Sequence, residues 1–78
     1  MSCTLITGAG GGLGRALARA FWRRGDNLVL ADLDPALLDA VADELGDAGR
    51  IVCVAGDITD PAHQEELLVR AQARFGGV

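Results

Sequence analysis

Short apolar runs alternate along the chain with longer stretches in which apolar residues recur every three or four positions. The first run, Thr4-Leu5-Ile6-Thr7, is rich in β-branched residues and stops at Gly8, predicting a strand over about residues 2–7. Gly8 to Gly12, where only Ala9 carries a side chain, predicts a loop. Leu13, Ala16, Leu17, Ala20 and Phe21 then repeat with helical spacing and predict the buried stripe of a first helix. Arg15, Arg19 and Arg23 fall on its other side, and Gly25 supplies the left-handed stop. Leu28 to Ala31, closed by Asp32, reads as a second strand, and Ile51 to Ala55 as a third. Asp34-Pro35 and Asp60-Pro61 each pair an N-cap with a first helical residue. The stripes Leu38-Val41-Ala42-Leu45 and Leu67-Leu68-Ala71-Phe75 follow them and end at Gly46 and at Gly76-Gly77.

Strands that are apolar throughout are strands buried on both faces, as in parallel sheets. The expectation is therefore an α/β fold, β1-α1-β2-α2-β3-α3, with right-handed crossovers and parallel strand order 3-2-1. With 78 residues there is room for one domain at most. Chains of this size bury only about 60% of the surface they expose when unfolded. In that order Cys3 and Cys53 stand two strands apart, about 9.5 Å by strand spacing. A disulfide needs Cα atoms within about 7 Å, so free thiols are expected, in keeping with a reducing compartment.

Composition narrows the function. A net charge of −4, with all seven basic residues being Arg, argues against a nucleic-acid partner. No run approaches the roughly 18 apolar residues of a membrane helix, and no basic segment precedes an apolar one at the start. A cytoplasmic protein without a membrane partner is the expectation. The Arg15–Arg24 cluster reads as a solvated helix face, although Arg15 lies near the glycine loop. His63, in a polar first turn without metal-type neighbours, reads as exposed, and Trp22 as helix packing. The sequence has no Lys and no Tyr. A phosphate loop that depends on Lys is thereby excluded.

Thr7-Gly8-Ala9-Gly10-Gly11-Gly12-Leu13-Gly14 carries the chemistry. A strand that ends in glycines and re-emerges as a helix aims free N–H groups and the positive helix end at one spot, where a pyrophosphate fits. Gly8 permits the turn, Gly12 lets backbone approach the phosphates, and Gly14 lets the helix pack on the strand. Asp32 follows 18 residues after Gly14, at the end of the second strand. Together with the glycine loop that follows a strand and opens a helix, this acidic residue points to cofactor binding.

This stretch resembles the fingerprint T-G-x-x-x-G-x-G of the short-chain dehydrogenase/reductase family. G-x-G-x-x-G fails because position 13 is Leu13. T-G-x-x-G-x-x-G also fits, through Gly11, and is similar to the larger, sugar-nucleotide-modifying branch. Arg74-Phe75-Gly76-Gly77-Val78 resembles the single-domain branch, in which that phrase leads into a fourth strand. The resemblance implies a Rossmann-type three-layer sandwich, of which residues 1–78 form the N-terminal portion. It also implies a cofactor-binding set of Gly8, Gly10, Gly11, Gly12, Leu13 and Gly14, with Asp32, Leu33, Asp57 and Ile58. Asp32 would hold the ribose, and Asp57 with the Ile58 backbone would read the adenine. In NADP-preferring members a basic residue stands where this chain has Gly11 or Leu33, so NAD rather than NADP is expected.

The family's Asn-Asn-Ala-Gly turn, catalytic Ser and Tyr-x-x-x-Lys pair have no counterpart here, so no catalytic residue is expected in the chain. The expectation is the NAD-binding portion of a longer oxidoreductase; the alternative is a free-standing nucleotide-binding or assembly module. An open first-strand edge, with Leu5 and Ile6 on it, leads one to expect self-association.

Overall fold

The computed structural model describes residues 2–77. The elements follow the expected order: β1 (Cys3–Thr7), α1 (Gly12–Arg23), β2 (Asn27–Asp32), α2 (Pro35–Leu45), β3 (Ile51–Ala55) and α3 (Pro61–Phe75). A 3-10 turn at Ala48–Arg50, not anticipated from the sequence, leads into β3. Asp47 starts that turn by accepting from the Gly49 N–H. The three strands are parallel, with β2 central. Thr7 at the end of β1 lies opposite Ala31, and Asp32 at the end of β2 lies opposite Ala55. A fourth strand starting at Val78 falls outside the described residues, among which β1 pairs along one edge only.

Helices start and stop where local chemistry tells them to. The Asp34 and Asp60 carboxylates accept the Ala36 and Ala62 N–H groups at 2.9 Å, each ahead of a Pro at the first helical position. Gly25, at φ 93°, ends α1: the Gly25 and Asp26 N–H groups donate back to the Trp22 and Phe21 carbonyls. Both are the reverse bonds of a left-handed helix stop.

The pleat of β2 sorts the core into two halves. Leu28 and Leu30 face α1 and α2, together with Ile6, Ala18, Leu38, Val41 and Ile51. Val29 and Ala31 face α3, with Val52, Val54, Leu67 and Ala71. Leu28, Val29 and Leu30 are fully buried. Each such side chain contributes about 1.5–3 kcal/mol relative to exposure. Ile6 lies inside the first half rather than on the open edge, so a charge there would enter the core. Cys3 and Cys53 are free, half-buried thiols on opposite outer strands, and burial pushes both thiols up.

Four side-chain expectations are corrected. The face of α1 that meets the sheet carries Gly14 and Ala18, with Phe21 and Trp22 half-buried, whereas Leu13 and Leu17 are exposed. Close approach, not bulk, selects that face, because α1 sits directly against the Gly8 carbonyl. The Arg cluster is not simply a solvated face: Arg19 makes two bonds to Glu44 of α2, at 2.6 and 2.7 Å, and Arg15 reaches the same carboxylate at 3.6 Å. Arg24 and the Thr4 hydroxyl donate to the buried Asp26, joining the end of α1 to β1. On α3, His63 is buried and Leu68 is exposed. His63, Leu67 and Ala71 stand four residues apart and form one line toward the sheet.

No helix among the described residues is long and apolar enough to cross a membrane.

Candidate functional site

The carboxyl ends of all three strands open into one cleft of about 190 Å³. Thr7 and Gly8 at the end of β1, Ala31, Asp32 and Leu33 at the end of β2, and Gly56, Asp57 and Ile58 after β3 line it, with the β2 residues between the other two groups. Ligands of open parallel sheets bind at such strand ends. Leu33, 72% exposed, and Ile58, 42% exposed, offer apolar surface across the opening.

Beside the cleft, Gly8 turns the chain at φ +63°, a conformation that favours glycine. The Ala9 N–H donates to the Ala31 carbonyl at 3.0 Å, and the Gly11 N–H to the Gly8 carbonyl at 3.1 Å. The helix then begins at Gly12 with no side chain capping it, unlike α2 and α3. Its first-turn N–H groups therefore lack the carboxylate that the other two helices supply. Gly11, Gly12 and Leu13 are exposed there. A Cβ on Gly12 would meet nothing within 4 Å, leaving open space for a bound group to approach the backbone. Gly14 is buried beneath, and a Cβ there would run into the Gly8 carbonyl oxygen.

Asp32 is bonded on both oxygens. Its Oδ2 accepts from the Gly10 N–H at 3.0 Å and its Oδ1 from the Asp34 N–H at 3.1 Å. A carboxylate has about four acceptor sites, so two remain for a ligand hydroxyl. Asp57 closes its own turn: Oδ1 accepts from the Thr59 N–H at 2.9 Å and the Thr59 hydroxyl at 2.7 Å. The Thr59 hydroxyl, and then its N–H, hold the Asp57 carboxyl below its ordinary value against the opposing effect of burial. Asp57 Oδ2 takes no bond from the described residues.

Gly8, Asp32, Leu33, Asp57 and Ile58 thus meet around one opening. Gly11, Gly12 and Leu13 stand at the adjoining helix start. Gly10 is buried behind Asp32, and Gly14 under the helix. Sequence reasoning missed two supports. Leu37 of α2 packs its Cβ where Gly10 would carry one. The ring of His63 lies under Gly56, and a Cβ on Gly56 would strike its Nδ1. The fourfold spacing of His63, Leu67 and Ala71 was the available signal for the second.

The pattern of the short chain dehydrogenase family matches residues 2–78. The short chain dehydrogenase/reductase dpmpG of Macrophomina phaseolina is 44% identical over 73 residues, covering 91% of this chain and 42% of that protein. A solved short-chain dehydrogenase/reductase of the glucose/ribitol dehydrogenase type from Brucella melitensis superposes with a TM-score of 0.95. It is 43% identical, over 99% of this chain and 32% of that one. A 3-ketoacyl-(acyl-carrier-protein) reductase from the same organism, complexed with NADH, gives a TM-score of 0.90 at 38% identity, over 99% of this chain and 31% of that one. A Burkholderia phymatum short chain dehydrogenase/reductase in complex with NAD gives 0.91 at 38%, over 99% and 28%. The chain therefore spans less than half the length of each of these relatives.

Proposed function

Because this chain belongs to the short chain dehydrogenase family, we propose that it is the part of an NAD-dependent oxidoreductase that holds the adenosine and pyrophosphate of the cofactor. The observation that carries this reading is the contrast among helix starts. Carboxylates cap α2 and α3, whereas α1 begins uncapped behind a glycine turn and beside a cleft at the strand ends. Uncapped N–H groups and the positive helix end favour an anion. The Gly11–Gly14 segment would hold the pyrophosphate, Asp32 the ribose hydroxyls, and Asp57 with the Ile58 backbone the adenine, between the flanks of Leu33 and Ile58. Two solved relatives, at 38% identity each, carry NADH and NAD.

NAD is favoured over NADP by charge. Asp32 would face a ribose 2′-phosphate, and neither Gly11 nor Leu33 brings a positive charge to offset it. When bound, the nicotinamide would supply hydride transfer to or from an alcohol or carbonyl substrate. With no Tyr and no Lys, the chain's own residues serve binding and orientation rather than proton transfer. The same absence favours a second reading, a nucleotide-binding module without chemistry of its own. The mass of the natural protein separates the two.

Calorimetric titration with ADP-ribose and with its 2′-phosphorylated form tests the proposal. Preferential binding of ADP-ribose is expected, and Asp32→Ala should weaken it and narrow the preference. Equal affinity of the unmodified protein for both ligands overturns the role of Asp32. No binding of either ligand overturns the whole reading.

A further inference from the structure

Gly10 occupies a position that the glycine fingerprint leaves variable, yet the structure gives it no room. It is buried, and a Cβ there would strike the Leu37 Cβ and come within 3.1 Å of Asp32 Oδ2. Its N–H is the donor that Asp32 Oδ2 accepts at 3.0 Å, while Asp32 Oδ1 takes the Asp34 N–H. One carboxylate therefore ties the glycine loop, 22 residues away from it in sequence, to the start of α2. The carboxylate is fixed in turn: moving either oxygen breaks a bond to a charged acceptor, and such bonds are the stronger class.

We propose that Asp32 is the latch of the glycine loop as well as its ribose acceptor. By this proposal, Gly10 and Leu37 are specificity-determining residues that act through it. The proposal rests on the adenosine-binding reading above for its second half only. A carboxylate pinned by two N–H groups cannot swing aside, so a 2′-phosphate would meet its full charge. Once unpinned, the same carboxylate can rotate out toward solvent, and discrimination falls although the residue is unchanged. Gly10→Ala breaks the latch in this way without placing a new group in the cleft, because Gly10 does not line it and the added Cβ would point at Leu37.

Two measurements on the protein separate the halves of the proposal. In the first, amide hydrogen exchange is followed at Gly10 without ligand. Asp32→Ala should speed exchange there by about tenfold or more, as expected for losing a hydrogen bond to a charged acceptor. Unchanged exchange at Gly10 overturns the latch, whatever the ligand data show. In the second, affinities for ADP-ribose and 2′-phospho-ADP-ribose are compared for the parent, for Gly10→Ala, and for Gly10→Ala combined with Leu37→Gly, which removes the obstructing Cβ. The ratio should narrow by about tenfold in the single variant and partly recover in the double one. A ratio unmoved by Gly10→Ala overturns the specificity role. Should the parent bind neither ligand, the adenosine-binding reading and the specificity role fall together, and the exchange experiment alone decides the latch. A far-ultraviolet spectrum matching the parent guards against a variant that merely unfolds.

Discussion

Replacing Gly14 by Ala should destabilise the protein, against the ordinary preference of helices for Ala. The added Cβ would overlap the Gly8 carbonyl oxygen and lie 2.8 Å from both Ala9 Cα and Gly8 C. All three are backbone atoms that cannot rotate away. Non-bonded carbons rest about 3.5–4.0 Å apart, so α1 must retreat by about 1 Å. Ala18, fully buried one turn on, would then lose contact with the sheet. Overpacking of this kind costs about 1–3 kcal/mol, while Gly→Ala within a helix returns up to about 1 kcal/mol. The net expectation is a loss of about 1–2 kcal/mol, or roughly 0.3–2 M in the urea midpoint for a small domain. Gly12→Ala is the matched control in the same helix, because its Cβ meets nothing within 4 Å. Its stability should stay within about 0.5 kcal/mol of the parent, as for unobstructed surface changes, while its affinity for ADP-ribose falls. A Gly14→Ala midpoint equal to or above the parent's would refute the close-approach argument.

Other expectations follow from single side chains. Burial alone would raise the Asp26 carboxyl, but hydrogen bonds from Arg24 and the Thr4 hydroxyl outweigh it and hold its value below the ordinary 3.8. The stabilisation is therefore present above that ordinary value and is lost as pH falls through the lower folded one. Acid unfolding followed by circular dichroism should be less pH-dependent in Asp26→Asn than in the parent; identical acid limbs would show that Asp26 is not responsible. His63 buries Nε2 with no partner among the described residues. Replacing such a group by an apolar one of similar size is nearly neutral or stabilising. His63→Leu should thus hold or raise the melting temperature, whereas Gly56→Ala should lower it. A drop in both would point to a hydrogen bond on the ring.

The parts of this fold that are local were legible in the chain. Asp34-Pro35 and Asp60-Pro61 set the starts of α2 and α3, and Gly25, Gly46 and Gly76 each adopt positive φ at helix ends. The double-sided burial of β2 showed in its unbroken apolar run. What periodicity could not show was which face of α1 would turn inward. The rule that bulky residues face the core pointed to Leu13 and Leu17, but the Gly8 carbonyl admits only Gly14 there. His63 escaped notice because a polar first turn was read as solvated, although it continues the line of Leu67 and Ala71. The place of Asp32 at the end of β2 was readable from spacing. Its bond to Gly10 was not, because that contact depends on how β1 and β2 are aligned side by side.

The strand register also sets an order of assembly. Cys3 pairs with Asn27 and Leu28 with Ile51, so each strand joins the one made just before it, after a single helix has intervened. Each parallel pairing must wait for its crossover and is of the slower, non-local kind, but the sheet can grow in the direction of synthesis. β2 pays for this order with exposure. Its Val29 and Ala31 face stays wet until α3 arrives, because Leu67 and Ala71 are the residues that cover it. During that interval a nascent chain carries a hydrophobic ribbon with no lid, the kind of surface that invites chaperones and aggregation. The cleft forms late as well, since Asp57 and Ile58 follow β3. On the binding reading proposed above, nucleotide would not template the early sheet and would only reward a chain that has already built it.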